Sequence, residues 1–218
     1  MNPGSRDDDG VGRLLLVRHG QSEGNEVRQF SVSPDILLTP RGEEQARVAG
    51  RRIAERFRPS VFVASPYRRA RSTAEFIAAE VGHTGPIRIE HDLRERSIGE
   101  LAGAPYDAMH AHPTYRPDRF WEWRPGGGES LEDVAVRAGA VLERLAAEHR
   151  GLDVVVVSHG GTMLALCARI EGEWTRARVA RNCELVVVRH SPSGGFVIEP
   201  DEPRSAPARG ESADDATG

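Results

Sequence analysis

The sequence predicts an α/β fold, a three-layer α/β/α sandwich with a mostly parallel central sheet and an antiparallel edge strand. Three observations carry this. Short runs of leucine and valine bounded by polar residues, such as Leu14-Leu15-Leu16-Val17, read as buried strands. Amphipathic segments at helical spacing separate them, and that alternation builds a parallel sheet covered on both faces. Near the end, Ser191-Pro192-Ser193-Gly194-Gly195 is turn chemistry that returns the chain into a last short strand.

In chain order, the first strand is placed at 13–18. The first helix starts with Thr39 as N-cap and Pro40 at the favoured first position, and turns Ala46, Ala49, Ile53 and Phe57 inward. A strand at 61–65 follows, then a helix after Ser65-Pro66 that buries Ala70, Ala74, Ile77 and Val81. The segment 96–128, rich in Pro, Gly, His and aromatic residues, breaks the alternation; it is long for an inert connection and reads as a lid or specificity segment. Ser130 and Asp133 form a capping box for a helix carrying Val134, Val141, Leu142 and Leu145. Strand 153–158, a helix after Gly160-Gly161 with Met163, Leu164 and Leu166, strand 184–190 and edge strand 196–199 complete the plan. A domain at 13–200 is expected between polar ends, 1–12 and 201–218, whose composition predicts disorder.

Composition narrows the function. The chain has 218 residues, 39% hydrophobic and 28% charged, with a formal net charge of −4. That balance offers no general attraction to nucleic acid or to an anionic membrane. No lysine occurs, which excludes a phosphate-loop lysine, a Schiff base and a lysine general base. The two cysteines, Cys167 and Cys183, have neither disulfide-framework nor zinc spacing, and His110 and His112 lack partners to complete a metal site. No metal and no cofactor are expected. Residues 1–12 do not read as a signal peptide, and no apolar run approaches the ~20 residues of a membrane span, so a cytoplasmic location is expected.

The chemistry centres on Arg18-His19-Gly20, at the C-terminal end of the first strand, where open α/β sheets keep their ligand sites. A permanently charged guanidinium beside an imidazole suits a phosphate ester: one group holds the oxyanions and the other attacks phosphorus. His159 also follows an apolar strand and precedes glycine, so neighbouring parallel strands would bring both histidines to one sheet edge. The helices after them would aim positive dipole ends at the same place. Arg189-His190 resembles the first pair but lacks the glycine.

Around this pair stand Gln21-Ser22-Glu23-Gly24-Asn25, Leu38-Thr39-Pro40-Arg41-Gly42, Ser65-Pro66-Tyr67-Arg68-Arg69-Ala70-Arg71-Ser72-Thr73-Ala74, Leu93-Arg94-Glu95-Arg96-Ser97-Ile98-Gly99 and Val157-Ser158-His159-Gly160-Gly161. In this order the blocks closely resemble the histidine phosphatase superfamily, the phosphoglycerate mutase-like proteins. The resemblance implies His19 as a nucleophile that forms a phosphohistidine, and Arg18, Arg69 and His159 as the clamp on the phosphoryl group. It implies Asn25 and Gly160 at the phosphate and Glu95 as proton donor to the leaving alkoxide. The arginine directly before Ala-x-x-Thr-Ala in the pattern is Arg69, not Arg68 or Arg71. Glu129, in a Gly-Glu-Ser context common in the family, would support the site from outside.

The implied activity is phosphomonoester hydrolysis of a small organic phosphate, without metal. A phosphoglycerate mutase-type phosphotransferase is the alternative; Arg96 matches a mutase position. Against it stand the short separation of Glu95 from His159 and Ser97-Ile98 in place of the usual aromatic. A catalytically silent binding protein of the same fold is the third reading, although every site position is occupied. The leaving-group acid must hold its proton near neutral pH, through burial or the charge of the phosphate, and Leu93, Ile98 and Leu101 are candidates for an apolar wall around Glu95. Ser22, Phe30, Arg96, Trp121 and Trp123 are candidate substrate contacts, with Tyr106, Met109 and Arg124 at the pocket mouth. Trp121 and Trp123 are expected on one face of an extended segment, forming an apolar lid. The expected partner is a small phosphorylated substrate, with no nucleic acid or membrane, and a homodimer is possible on the family pattern.

Overall fold

The computed structural model describes residues 12–31, 33–190 and 195–199. The terminal segments read above as disordered, apart from residue 12, and the turn at 191–194 lie outside them. Six strands form one sheet in the order β3-β2-β4-β1-β5-β6: β1 Arg13–Arg18, β2 Val61–Ala64, β3 Ile87–Ile89, β4 Asp153–Ser158, β5 Leu185–His190 and β6 Phe196–Ile198. The strands β3, β2, β4 and β1 run parallel; β5 runs antiparallel to β1, and β6 antiparallel to β5. The reversal therefore begins one strand inside the edge.

The helices are α1 Glu23–Glu26, α2 Pro40–Arg56, α3 Arg68–Glu80, α4 Leu131–Glu148 and α5 Gly160–Glu171. Alternation along β1 sets the layers. Leu15 and Val17 pack with Ile53, Ala70 and Ile77 of α2 and α3, while Leu14 and Leu16 pack with Leu142, Leu145, Met163 and Leu166 of α4 and α5. Both faces of the strand are thus buried, which is why it reads as a continuous apolar run. The caps fall where the sequence puts them: the Thr39 hydroxyl accepts from Gly42 N, and Ser130 and Asp133 cap each other's backbone amides.

One strand departs from the sequence reading. Strand β3 was not anticipated: Ile87-Arg88-Ile89 is three residues long and largely exposed at the sheet edge, too short to show a period. The segment 96–128 carries no long element, only short 3-10 turns at Gly99–Leu101, Tyr106–Met109 and Pro117–Arg119. Among the described residues no helix is long and apolar enough to cross a membrane.

Candidate active site

The register of the central strands builds the site. Arg18 pairs with Ser158 across β1 and β4, and His19 N donates to Ser158 O at 2.9 Å, so His19 and His159 leave the sheet side by side. Their rings meet edge-on, with centroids 5.1 Å apart. Gly20 is required by packing: a Cβ there would lie 2.3 Å from Gly42 O, and one on Gly42 would lie 2.0 Å from Gln21 O. This close crossing lets the chain after His19 run against the start of α2.

His19 is 3% exposed. Its Nδ1 lies 2.7 Å from Gly20 O, and Arg69 Nε donates to its Nε2 at 3.2 Å. Because the guanidinium can only donate, Nε2 accepts and the proton sits on Nδ1. Burial first, and then the charges of Arg69 and Arg18, hold the His19 imidazole well below the usual histidine range, against a smaller opposing pull from the Gly20 carbonyl. His159, fully buried, is held low in the same way, by burial and then by Arg69, His19, Arg18 and Arg137. Both rings are therefore neutral at physiological pH, with a lone pair on His19 Nε2.

Arg18 and Arg69 are buried beside them, and desolvation pulls both guanidiniums down from their ordinary value without discharging them. Arg18 Nη1 donates to Ala180 O at 2.7 Å. Arg69 stacks on the Tyr67 ring, whose edge meets His159. Ser65 Oγ is 2.6 Å from His159 Nε2. Two buried nitrogens in this cluster, Arg69 Nη1 and His159 Nδ1, have no hydrogen-bond partner among the described residues.

Asn25 is oriented by exclusion. Its Oδ1 accepts from Ser22 N at 3.2 Å, Ser22 Oγ at 3.1 Å and Asn182 Nδ2 at 3.2 Å, which turns Nδ2 outward to Tyr106 Oη at 3.2 Å. The Asn182 amide also donates to His19 O at 2.9 Å, tying the loop before β5 to the first histidine.

Glu95 meets polar groups rather than the anticipated apolar wall. Its carboxylate accepts from Arg96 N at 2.8 Å, Gly161 N at 3.2 Å and Thr162 N at 3.1 Å, so it caps α5 from outside the helix, while Leu93 turns into the core. Behind it, Arg137 donates to Asp92 O, Arg94 O and Glu95 O, and pairs with Glu129. Burial pushes the Glu129 carboxyl up, but Arg137, Ser97 N–H and Arg94 outweigh it and hold it below the usual carboxylate range.

A cavity of about 900 Å³ opens over the cluster. Arg18, His19, Asn25, Arg69, Glu95 and Gly160 line it, and so do Ser22, Phe30, Arg96, Tyr106 and Met109. His159 lies behind this wall. Trp121 and Trp123 do not line the cavity, which corrects the apolar-lid expectation. Trp121 stacks on Trp174 with centroids 6.0 Å apart, while Trp123 is buried against His112 and Tyr115 and donates to Thr114 Oγ1. The chain turns between them, so they share no face. Arg124 pairs with Asp133 instead of the pocket. Arg96 reaches the cavity, but its Nε and Nη2 donate to Glu129 O and Trp123 O.

Sequence reasoning assigned no role to Tyr67, Asn182 or Arg137. Tyr67 lies inside the Ser65-Pro66-Tyr67-Arg68-Arg69 motif, whereas a lone asparagine before a strand and an arginine on an amphipathic helix carry no signal of their own.

A strand-edge pair of neutral histidines, two buried arginines and a carboxylate at a helix N-terminus meet in one cluster at the C-terminal ends of the central strands of an α/β sandwich. The chain belongs to the histidine phosphatase superfamily (branch 1), whose family model matches residues 14–201. It is 35% identical over 202 residues to a probable phosphoglycerate mutase of Photorhabdus laumondii, covering 86% of this chain and 91% of that one. It is 35% identical over 174 residues to a glucosyl-3-phosphoglycerate phosphatase of Mycolicibacterium vanbaalenii, covering 74% and 75%. Among solved structures, a mycobacterial glucosyl-3-phosphoglycerate phosphatase with VO3 superposes with a TM-score of 0.76 at 27% identity, over 86% of this chain and 97% of that one.

Proposed function

We propose that the protein is a metal-independent phosphomonoester hydrolase that acts on a small organic phosphate through a phosphohistidine on His19. The observation that carries this is the pairing at His19 Nε2: a neutral lone pair beside a desolvated guanidinium that still has one nitrogen, Arg69 Nη1, without an acceptor among the described residues. Arg18, Arg69 and Asn25 Nδ2 receive the phosphoryl oxygens, which draw the Arg69 guanidinium away from the imidazole lone pair. His19 Nε2 then forms a bond to phosphorus as the ester P–O bond breaks. The electron pair of that bond stays on the leaving oxygen, which takes a proton from Glu95, a carboxyl that the negative charge of the bound phosphoryl group protonates in the complex. Water next attacks the phosphohistidine, Glu95 takes the water's proton, phosphate departs and Nε2 regains its lone pair. Nδ1–H stays on Gly20 O throughout and fixes the ring.

Transfer to a second sugar acid, as in a mutase, is less well supported. The arginine that matches a mutase position, Arg96, spends two of its nitrogens on backbone carbonyls. The test is phosphate release from a panel of small phosphate esters in the presence of a chelator, for the wild type and His19→Ala. Release that disappears in the variant supports the reading, and release that survives it overturns the role of His19. No release from any ester, together with phosphoglycerate isomerisation, would establish the mutase instead.

A further inference from the structure

Tyr106 belongs to the segment that lines the organic part of the cavity, yet its hydroxyl reaches the phosphate floor. The phenol oxygen accepts from Asn25 Nδ2 at 3.2 Å. Its own O–H finds no acceptor among the described residues, so one donor is left over at the place where phosphoryl oxygens are to be held. Tyr106, Arg18 and Arg69 line the same cavity. The position of Tyr106 is fixed from two sides. Tyr106 N donates to Arg28 O at 3.2 Å, Phe30 N to Ala104 O at 2.9 Å and Gly103 N to Phe30 O at 3.0 Å, which joins the two loops by their backbones. The Tyr106 ring then meets Phe30 edge-on, with centroids 5.1 Å apart.

We propose that Tyr106 is a phosphate-contacting residue, whose hydroxyl donates to a phosphoryl oxygen of the substrate and so links the specificity segment to the phosphate pocket. The inference rests on the hydrolase reading above. Arg18 and Arg69 supply charge to the equatorial oxygens and Asn25 a neutral amide; Tyr106 adds a neutral donor beside that amide, carried by the same stretch of chain that contacts the ester's organic group. An ester that seats this segment correctly therefore also completes the donor set around phosphorus, which is how a remote binding contact raises kcat as well as lowering KM.

The experiment is Tyr106→Phe, which keeps the ring on Phe30 and removes only the hydroxyl. Binding of inorganic phosphate is measured by calorimetry and turnover with p-nitrophenyl phosphate, alongside the thermal midpoint. The expected result is a phosphate Kd weaker by roughly tenfold or more, a matching loss in kcat/KM and an unchanged midpoint, since a hydrogen bond to a charged group is being removed. Kd and kcat/KM both within twofold of wild type overturn the proposal. In an Asn25→Ala background the loss persists if the hydroxyl meets the phosphate itself; if it vanishes, Tyr106 only positions Asn25 and the proposal is overturned. Wild-type protein that binds phosphate but releases none from any ester would sink the hydrolase reading alone, leaving the Tyr106 contact to be decided by binding. Wild-type protein that does not bind phosphate would sink both.

Discussion

At the scale of single residues, the site works by keeping two imidazoles neutral and two guanidiniums charged in one buried cluster. Burial and the arginines hold His19 and His159 well below the ordinary value of 6.5. Above that pH the folded and unfolded chains bind the same protons at these groups and their full stability contribution is present. As pH falls below it, the unfolded histidines gain protons that the folded ones refuse, so stability declines toward the depressed folded values, by about 1.4 kcal/mol per pH unit for each ring. Urea unfolding at pH 7 and pH 5.5 should show this loss, with a smaller slope in His19→Asn; identical slopes in the two proteins would mean His19 titrates normally. Arg69 is the residue most exposed to a functional test. Arg69→Ala should lower kcat by ~10²–10³ through loss of a charge-stabilising donor, and a loss below tenfold would assign the clamp to another arginine. The sequence motifs made these residues legible because a nucleophile or clamp needs a particular side chain beside a particular backbone turn. Tyr106 was legible only as a pocket-mouth residue. Trp121 and Trp123 were misplaced because two aromatics two apart share a face only on extended backbone, and here the chain turns between them.

At the scale of elements, the informative contact is Glu95 at the N-terminus of α5, for His159 occupies the N-cap position without capping the helix itself. One carboxylate thus holds two duties, satisfying orphan amides and serving as the proposed acid. The two separate by substitution. Glu95→Gln keeps an acceptor oxygen and should leave the thermal midpoint nearly unchanged, while Glu95→Ala should cost about 1 kcal/mol of stability, the value of a lost cap. Both should lower kcat far more for an alkyl phosphate than for p-nitrophenyl phosphate, whose leaving group departs without a proton. Equal losses on the two esters would remove Glu95 from the acid role. The crossing of Gly20 and Gly42 makes a second element-scale claim: Gly42→Ala drives a methyl into Gln21 O and should cost about 1–3 kcal/mol by overpacking, read as a lower urea midpoint. The caps of α2 and α4 and the long strands were legible, since each has a local chemical signature, whereas the four residues of α1 are too few to show a helical period. Strand β3 was not legible either, because three exposed residues at a sheet edge derive their pairing from β2 rather than from their own pattern.

At the scale of the whole molecule, a chain of net charge −4 concentrates buried positive charge at one sheet edge. That arrangement costs stability until an anion arrives, so the site should behave as a ligand-dependent staple. Sulfate is a clean probe because it remains a dianion from pH 5 to 8. At a concentration of about 100 times its Kd it should contribute about 2.7 kcal/mol, a rise in thermal midpoint of roughly 5–10 °C for a chain of this size. The dianion also reverses the field that depresses His159, raising its proton affinity in the complex. Binding then takes up a proton, and by linkage sulfate affinity must increase as pH falls, by up to about tenfold per pH unit for each proton gained. Calorimetry in buffers of different ionisation enthalpy measures that uptake directly. Sulfate affinity that is flat from pH 8 to pH 6, with no proton uptake, would show that the imidazoles stay neutral with the anion bound. The charge of the phosphoryl group would then be met by Arg18 and Arg69 alone, with His159 a packing partner of His19 rather than part of the clamp.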